Sequence, residues 1–201
     1  MEFHEVVRRR AMVRSFSAEP IQAGVVEAIM GSALRAPSAG NTGGTAWVVL
    51  QGEAETARYW DATTDADWRA TSPRWAGLRP APVVALAYWS AGSYVDRYGE
   101  PDKEASGLGV GPEAWPVPYW TGDAAFGVMT VLLGAVDAGI GACFLGNFRG
   151  EEALGSALEV PDGWRWFGAV VLGRPDGEDR RSVSLDRTGP ARDDRLHFGS
   201  W

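Results

Sequence analysis

Arg8, Arg9, Arg10 and Arg14 crowd the first fourteen residues, opposed there only by Glu2 and Glu5. A guanidinium is a planar fork of N–H donors that matches phosphate and carboxylate oxygens. Arg10 and Arg14 stand four apart across the expected end of a short helix, where backbone groups also lack partners. Several fixed donors at one corner make a candidate anion site; the competing reading is an ordinary solvated charge run.

A second stretch with chemical potential is Ser38-Ala39-Gly40-Asn41-Thr42-Gly43-Gly44, small residues that let the backbone turn sharply or approach a ligand. Other chemistries are missing their motifs. No Gly-x-x-x-x-Gly-Lys phosphate loop and no Gly-x-Ser-x-Gly elbow occurs. Gly107-Leu108-Gly109-Val110-Gly111 has dinucleotide-loop spacing, but Pro112 follows it and no strand precedes it. His4 and His197 lie at opposite ends, and Cys143 is the single cysteine, too few ligands for a cysteine/histidine zinc site. Cys143 sits in an apolar stretch and reads as a small buried side chain.

The elements that must position these residues follow from periodicity. Phe3, Val6, Val7 and Arg10 predict a first helix; Val25, Val26, Ile29, Met30, Ala33 and Leu34 predict a second, stopped by Ala36-Pro37. Strands are expected at 47–50, 83–88, 142–148 and 167–172, with helices at 53–60 and 151–158. The main helix is expected over about 122–138, apolar nearly all round, with Phe126, Met129, Leu133, Val136 and Ile140 as one stripe. Such a helix needs cover on several sides, as in a large core or a subunit interface. Residues 92–118, with five glycines and four prolines, read as an irregular segment, either a lid or a surface loop. Helices and strands mix without regular βα alternation, which favours α+β in a single domain, with a C-terminal arm over about 174–201.

Composition bounds the partners. The 201 residues carry a formal charge of −7, against a generic nucleic-acid binder. Apolar content of 45% and a charged fraction of 22% suit a globular chain. The N-terminus lacks the pattern of a secretory signal, and the apolar run 124–148, interrupted by Asp137 and punctuated by Gly127, Gly134, Gly139 and Gly141 among others, is read as falling short of a membrane span. A cytoplasmic protein is expected. Eighteen arginines stand against one lysine, Lys103, an excess that codon bias alone would also produce.

Several of these segments together resemble the flavin-dependent nitroreductase family. The likeness runs through Arg8-Arg9-Arg10-Ala11-Met12-Val13-Arg14-Ser15-Phe16 and Ala36-Pro37-Ser38-Ala39-Gly40-Asn41-Thr42. It continues in Trp115-Pro116-Val117-Pro118-Tyr119-Trp120-Thr121, Gly141-Ala142-Cys143-Phe144-Leu145-Gly146, Val170-Val171-Leu172-Gly173-Arg174-Pro175 and the terminal Trp201.

That resemblance implies a three-layer α/β/α fold with a mixed, mostly antiparallel sheet. It also implies an interlocked homodimer that binds FMN at the subunit interface. In the flavin segment Arg10, Ala11, Met12 and Arg14, it places Arg10 at the phosphate and Arg14 beside N1 and O2 of the ring, where charge gathers when hydride reaches N5. Pro37, Ser38, Ala39, Gly40 and Asn41 would approach the ring, from the partner subunit in one arrangement. Leu145, Gly146 and Asn147 match the segment whose backbone N–H faces N5, and Arg187 in the arm would reach the phosphate. Trp47, Trp115, Tyr119 and Trp120 would line the substrate side, with core packing as their alternative. The implied activity passes hydride between NADH, NADPH or an organic donor and a small acceptor such as a nitro compound, quinone or enone, with no side chain as general base. Alternatives are an oxidase or dehydrogenase acting on a biosynthetic intermediate, and a flavin-free binding protein. The chain departs from the pattern at Ala11, often basic in relatives, at Gly43, commonly glutamine, and in the arm, where relatives carry two or three phosphate-closing basic residues but only Arg187 matches clearly, Asp186 adds an opposing charge, and Arg192 or Arg195 would have to help.

Overall fold

The computed structural model describes residues 1–179, 186–189 and 195–201. In chain order the elements are α1 (Phe3–Arg9), α2 (Ala23–Ala33), β1 (Thr45–Gln51), α3 (Glu53–Thr63), α4 (Ala66–Thr71) and α5 (Trp75–Leu78). They continue with β2 (Val83–Trp89), α6 (Ala91–Tyr98), α7 (Tyr119–Asp137), β3 (Gly141–Gly146), α8 (Glu151–Ala157) and β4 (Arg165–Gly173).

The four strands form one sheet in the order β1-β2-β4-β3, and all three pairings are antiparallel. The parallel component of the expected mixed sheet is not found among the described residues. Alternation along the strands sends side chains to two cores. Val83, Ala85, Ala87, Val170 and Leu172 meet α2 and α7 on one face. Val84, Leu86, Tyr88, Ala169 and Val171 meet Tyr59, Trp60, Leu78 and Leu154 on the other. The result is the three-layer α/β/α arrangement.

Two expectations change. Residues 92–118 are not wholly irregular: Ser90 caps α6, its hydroxyl accepting from Ser93 N, and three single 3-10 turns over Glu104–Ser106, Leu108–Val110 and Pro112–Ala114 follow. The buried side of α7 is Trp120, Asp123, Ala124, Gly127, Val128, Val131, Leu132 and Ala135. Phe126 and Met129, from the stripe read as primary, are 52% and 48% exposed, with Leu133 and Val136 half-buried beside them. A helix apolar all round has no periodicity to say which side meets the sheet. By length and composition α7 could cross a membrane, yet here its inner side is packed on the sheet and α2.

Candidate functional site

The Arg10–Arg14 segment runs along the free edge of β3. Val13 N donates to Ala142 O at 2.9 Å, and Phe144 N donates to Met12 Sδ at 3.4 Å. The start of the expected arm folds back over the same stretch: Ser17 N donates to Arg174 O, Phe16 bridges Pro175, and Ser15 Oγ donates to Asp176 Oδ2 at 2.7 Å. From the other side, α5 packs so closely that a Cβ on Gly77 would lie 2.4 Å from Arg14 O. This strapping fixes the backbone that carries Arg14, whose Nη1 donates to Met12 O at 3.1 Å.

The cations divide into two groups. Arg8 and Arg9 pair with Glu5, Arg69 with Asp61, Arg79 with Glu53, Arg97 with Asp102, Arg149 with Asp65, Arg165 with Glu151 and Arg174 with Glu19. Among the described residues no carboxylate pairs with the side chains of Arg10, Arg14, Arg35, Arg58, Arg74, Lys103, Arg187 or Arg195; of these, Arg10, Arg14 and Arg74 lie on the segments packed beside β3, and Arg58 donates to Ala157 O. Arg14 and Arg74 both act electrostatically on buried Cys143, pulling its thiol pKa down against the larger upward push of burial. Arg74, at the N-terminal end of α5, was not predicted. Its segment is short and polar, without a periodicity to mark it.

Beside Leu145 and Gly146 opens a cavity of about 260 Å³, lined also by Trp60, Trp68, Arg74, Phe148 and Trp166. The Trp60 and Trp166 indole N–H groups are buried without a partner among the described residues. Asn147 turns its carboxamide inward, donating to Glu151 Oε2 and Trp166 O at 2.9 Å each. Its side-chain N–H groups are thereby occupied within the chain.

The loop Pro37–Asn41 lies elsewhere. It leads into β1, the outer strand opposite β3, about 14 Å away across the sheet. Ala39 N donates to Asp123 Oδ2 at 2.8 Å near the start of α7, whereas Ala11 and Val13 lie beside Val136 near its end. Thirteen residues of helix separate Asp123 from Val136, roughly 20 Å. Gly40 and Asn41 both take positive φ, +64° and +53°. Gly43 N donates to Ser38 Oγ at 2.9 Å. The Asn41 carboxamide is exposed, with no intramolecular partner among the described residues.

The aromatic residues assigned to substrate gather at this second location. Trp115 and Trp120 are 7% exposed and pack with Tyr94, and Trp115 Nε1 donates to Leu108 O. Tyr119 is exposed, and Trp47 lies half-buried against Gly127 of α7. None of the four lines the cavity beside Gly146. Arg187 and Arg195 are exposed; Arg192 lies outside the described residues. No cluster of three or more His, Cys, Asp or Glu suited to a metal ion occurs among the described residues.

The residues present fit a flavin phosphate and ring: unpaired guanidiniums in a strapped segment, a glycine-edged cavity, and a preformed loop with a free carboxamide. Comparisons with known proteins agree in fold. An Archaeoglobus fulgidus protein named for NADH dehydrogenase and NAD(P)H nitroreductase activity is 26% identical over 200 residues, 98% of this chain and 97% of its own. The nitroreductase CinD of Lactococcus lactis, solved with nicotinic acid, superposes with a TM-score of 0.71 at 19% identity, covering 95% of this chain and 100% of that one. An FMN-dependent nitroreductase from Clostridium difficile R20291 gives 0.66 at 17% identity, covering 98% of each chain. Residues 7–174 match the model of the Nitroreductase family, and the chain belongs to that family of oxidoreductases.

Proposed function

We propose that the protein is a cytoplasmic, FMN-dependent oxidoreductase whose site is completed across a two-fold homodimer. The observation that carries this reading is the separation of the two half-sites. Arg10, Arg14, Arg74 and Gly146 lie along one edge of the sheet, and the Pro37–Asn41 loop with Tyr119 lies beyond the other. The two sheet edges lie about 14 Å apart, and the Ala11–Val13 backbone is also displaced by roughly 20 Å along α7 from the loop's anchor at Asp123, more than one flavin ring spans, so one chain does not offer both groups to one ring. An isologous dimer can, because each surface then meets the other's complement. The outer side of α7, with Phe126 and Met129 exposed, supplies an apolar surface for that contact.

In this reading the cofactor supplies reversible two-electron hydride chemistry. The chain supplies position and charge. Arg10 neutralises the phosphate, and Arg14 holds a fixed positive charge at the ring edge where electron density accumulates, with Arg74 beside it. The backbone at Gly146 and Asn147 offers N–H groups to the ring, and Asn41 offers its carboxamide from the partner subunit. NADH or NADPH is the donor this reading favours, in keeping with the name of the Archaeoglobus relative and the nicotinic acid bound by the Lactococcus protein. The acceptor is a small oxidised molecule such as a nitro compound, quinone or enone.

The test is direct. Protein purified without added cofactor should be yellow and release FMN on denaturation, and anaerobic titration with NADH or NADPH should bleach it. Colourless protein that neither quenches FMN fluorescence nor gains thermal stability from it would return the chain to the flavin-free binding role.

A further inference from the structure

The Pro37–Asn41 loop owes its shape to groups that do not belong to it. Asp123 is 5% exposed in an otherwise apolar helix, and its Oδ2 accepts from Ala39 N at 2.8 Å and from Tyr94 Oη at 2.7 Å. Tyr94 is fully buried on α6. Burial, then the bond to Asp123, raise its pKa further above the ordinary phenol value, so the hydroxyl remains a donor. One helical turn on, Arg97 Nε donates to Gly40 O at 3.0 Å while its other nitrogens grip Asp102. The Tyr98 ring lies over Gly40, where a Cβ would come within 2.6 Å.

A buried carboxylate is costly unless it is hydrogen-bonded, and the donors that satisfy Asp123 are the Ala39 N–H of the loop and the Tyr94 hydroxyl. Here the bonds fix one N–H and one C=O of a loop in which Gly40 and Asn41 are both left-handed, an arrangement a free loop of this length would not hold. We infer that Asp123 and Arg97 are positioning residues that clamp the Pro37–Asn41 loop in its flavin-binding form. The segment 91–115 is thereby a fixed brace rather than a moving cover. This inference rests on the flavin reading above. It adds that two residues outside the binding loop set affinity for the ring and leave affinity for the phosphate unchanged.

The test compares FMN and riboflavin binding by fluorescence titration in wild type, Asp123→Asn, Arg97→Gln and Arg10→Ala. Asp123→Asn and Arg97→Gln should each weaken both ligands about tenfold, leaving the ratio of the two dissociation constants within twofold of wild type. Arg10→Ala should weaken FMN alone and so change the ratio. General unfolding would lower the melting temperature of the apoprotein; the positioning role leaves it near wild type in Arg97→Gln, the variant whose side chain is the less buried of the two. Wild-type affinity in both clamp variants overturns the inference while leaving the flavin reading intact. A change confined to FMN, or a loss that follows apoprotein unfolding in both variants, overturns it equally. Failure of wild type to bind either ligand instead removes the flavin reading itself.

Discussion

Asn147 and Glu151 are locked together by a 2.9 Å hydrogen bond, and through it the turn after β3 is anchored to β4. Glu151 also accepts from Arg165 Nε at 2.7 Å, from Arg165 Nη2 at 3.1 Å and from Trp166 N at 3.1 Å. Four donors converge on one carboxylate, and the backbone at Gly146 and Asn147 inherits their rigidity.

That convergence gives the fold an acid-sensitive joint. The Arg165 hydrogen bond, opposed in part by burial, lowers the Glu151 pKa from 4.5 to about 2. A depressed carboxylate pKa contributes stability that is complete above the unfolded value and is lost as pH falls through the folded one. Chemical denaturation should therefore show stability falling between about pH 4.5 and pH 2, and Glu151→Gln should flatten that slope. At neutral pH the same variant should lose about 1 kcal/mol, since the group is partly solvent-screened. An unchanged acid limb would show that Glu151 is not its source.

Arg14→Ala should separate chemistry from folding. The side chain's one intramolecular hydrogen bond among the described residues goes to Met12 O, so the melting temperature should stay within a degree or two of wild type. Reduction of bound flavin by NADH or NADPH, followed by stopped flow, should slow at least tenfold because a fixed cation has left the ring edge. Equal rates would refute its role.

Gly77→Ala tests the same residue without removing its charge. The added Cβ would meet Arg14 O at 2.4 Å and Ser15 Oγ at 2.9 Å, and backbone cannot move aside cheaply. A loss of about 2 kcal/mol is expected from overpacking. Slower flavin reduction should accompany it, more so than in a core variant of equal stability.

Met129→Asp tests assembly. Met129 is 48% exposed on the outer side of α7, and a charge there would be buried without a partner in a dimer. Light scattering should give twice the chain mass of 21.6 kDa for wild type and the single-chain mass for the variant. FMN affinity should fall with the dimer. A variant that stays dimeric would move the interface elsewhere.

The sequence made the strands legible because continuous runs such as Val83–Tyr88 and Phe167–Leu172 bury both faces, and their ends are marked by glycine or proline. Helices α4 and α5 escaped notice because Ala66–Thr71 and Trp75–Leu78 are too short for an apolar repeat. The start of α4 is marked only locally, by the Asp65 carboxylate accepting from Trp68 N, and α5 begins without a side-chain cap. α6 was hidden by the glycines and prolines that follow it. In the proposed site, the clustering of Arg10 and Arg14 is visible in the sequence and their flavin roles come from the family resemblance, whereas Arg74 and Asp123 carry no such mark, since both act through neighbours distant in sequence. Asp123 did leave a signal: a carboxylate within an apolar helix demands a partner. The partner, a backbone N–H 84 residues away, is visible only once α7 lies against the loop.

The distance along α7 between Asp123 and Val136 has a genetic consequence. If the site is completed across a homodimer as proposed, its two contributions can be damaged in different copies of the chain and still meet intact. Co-expressed Arg14→Ala and Asn41→Ala chains, each inactive as a homodimer, would pair at random into mixed dimers. One of the two sites in each mixed dimer would carry both lesions and the other neither, so about a quarter of all sites would regain function.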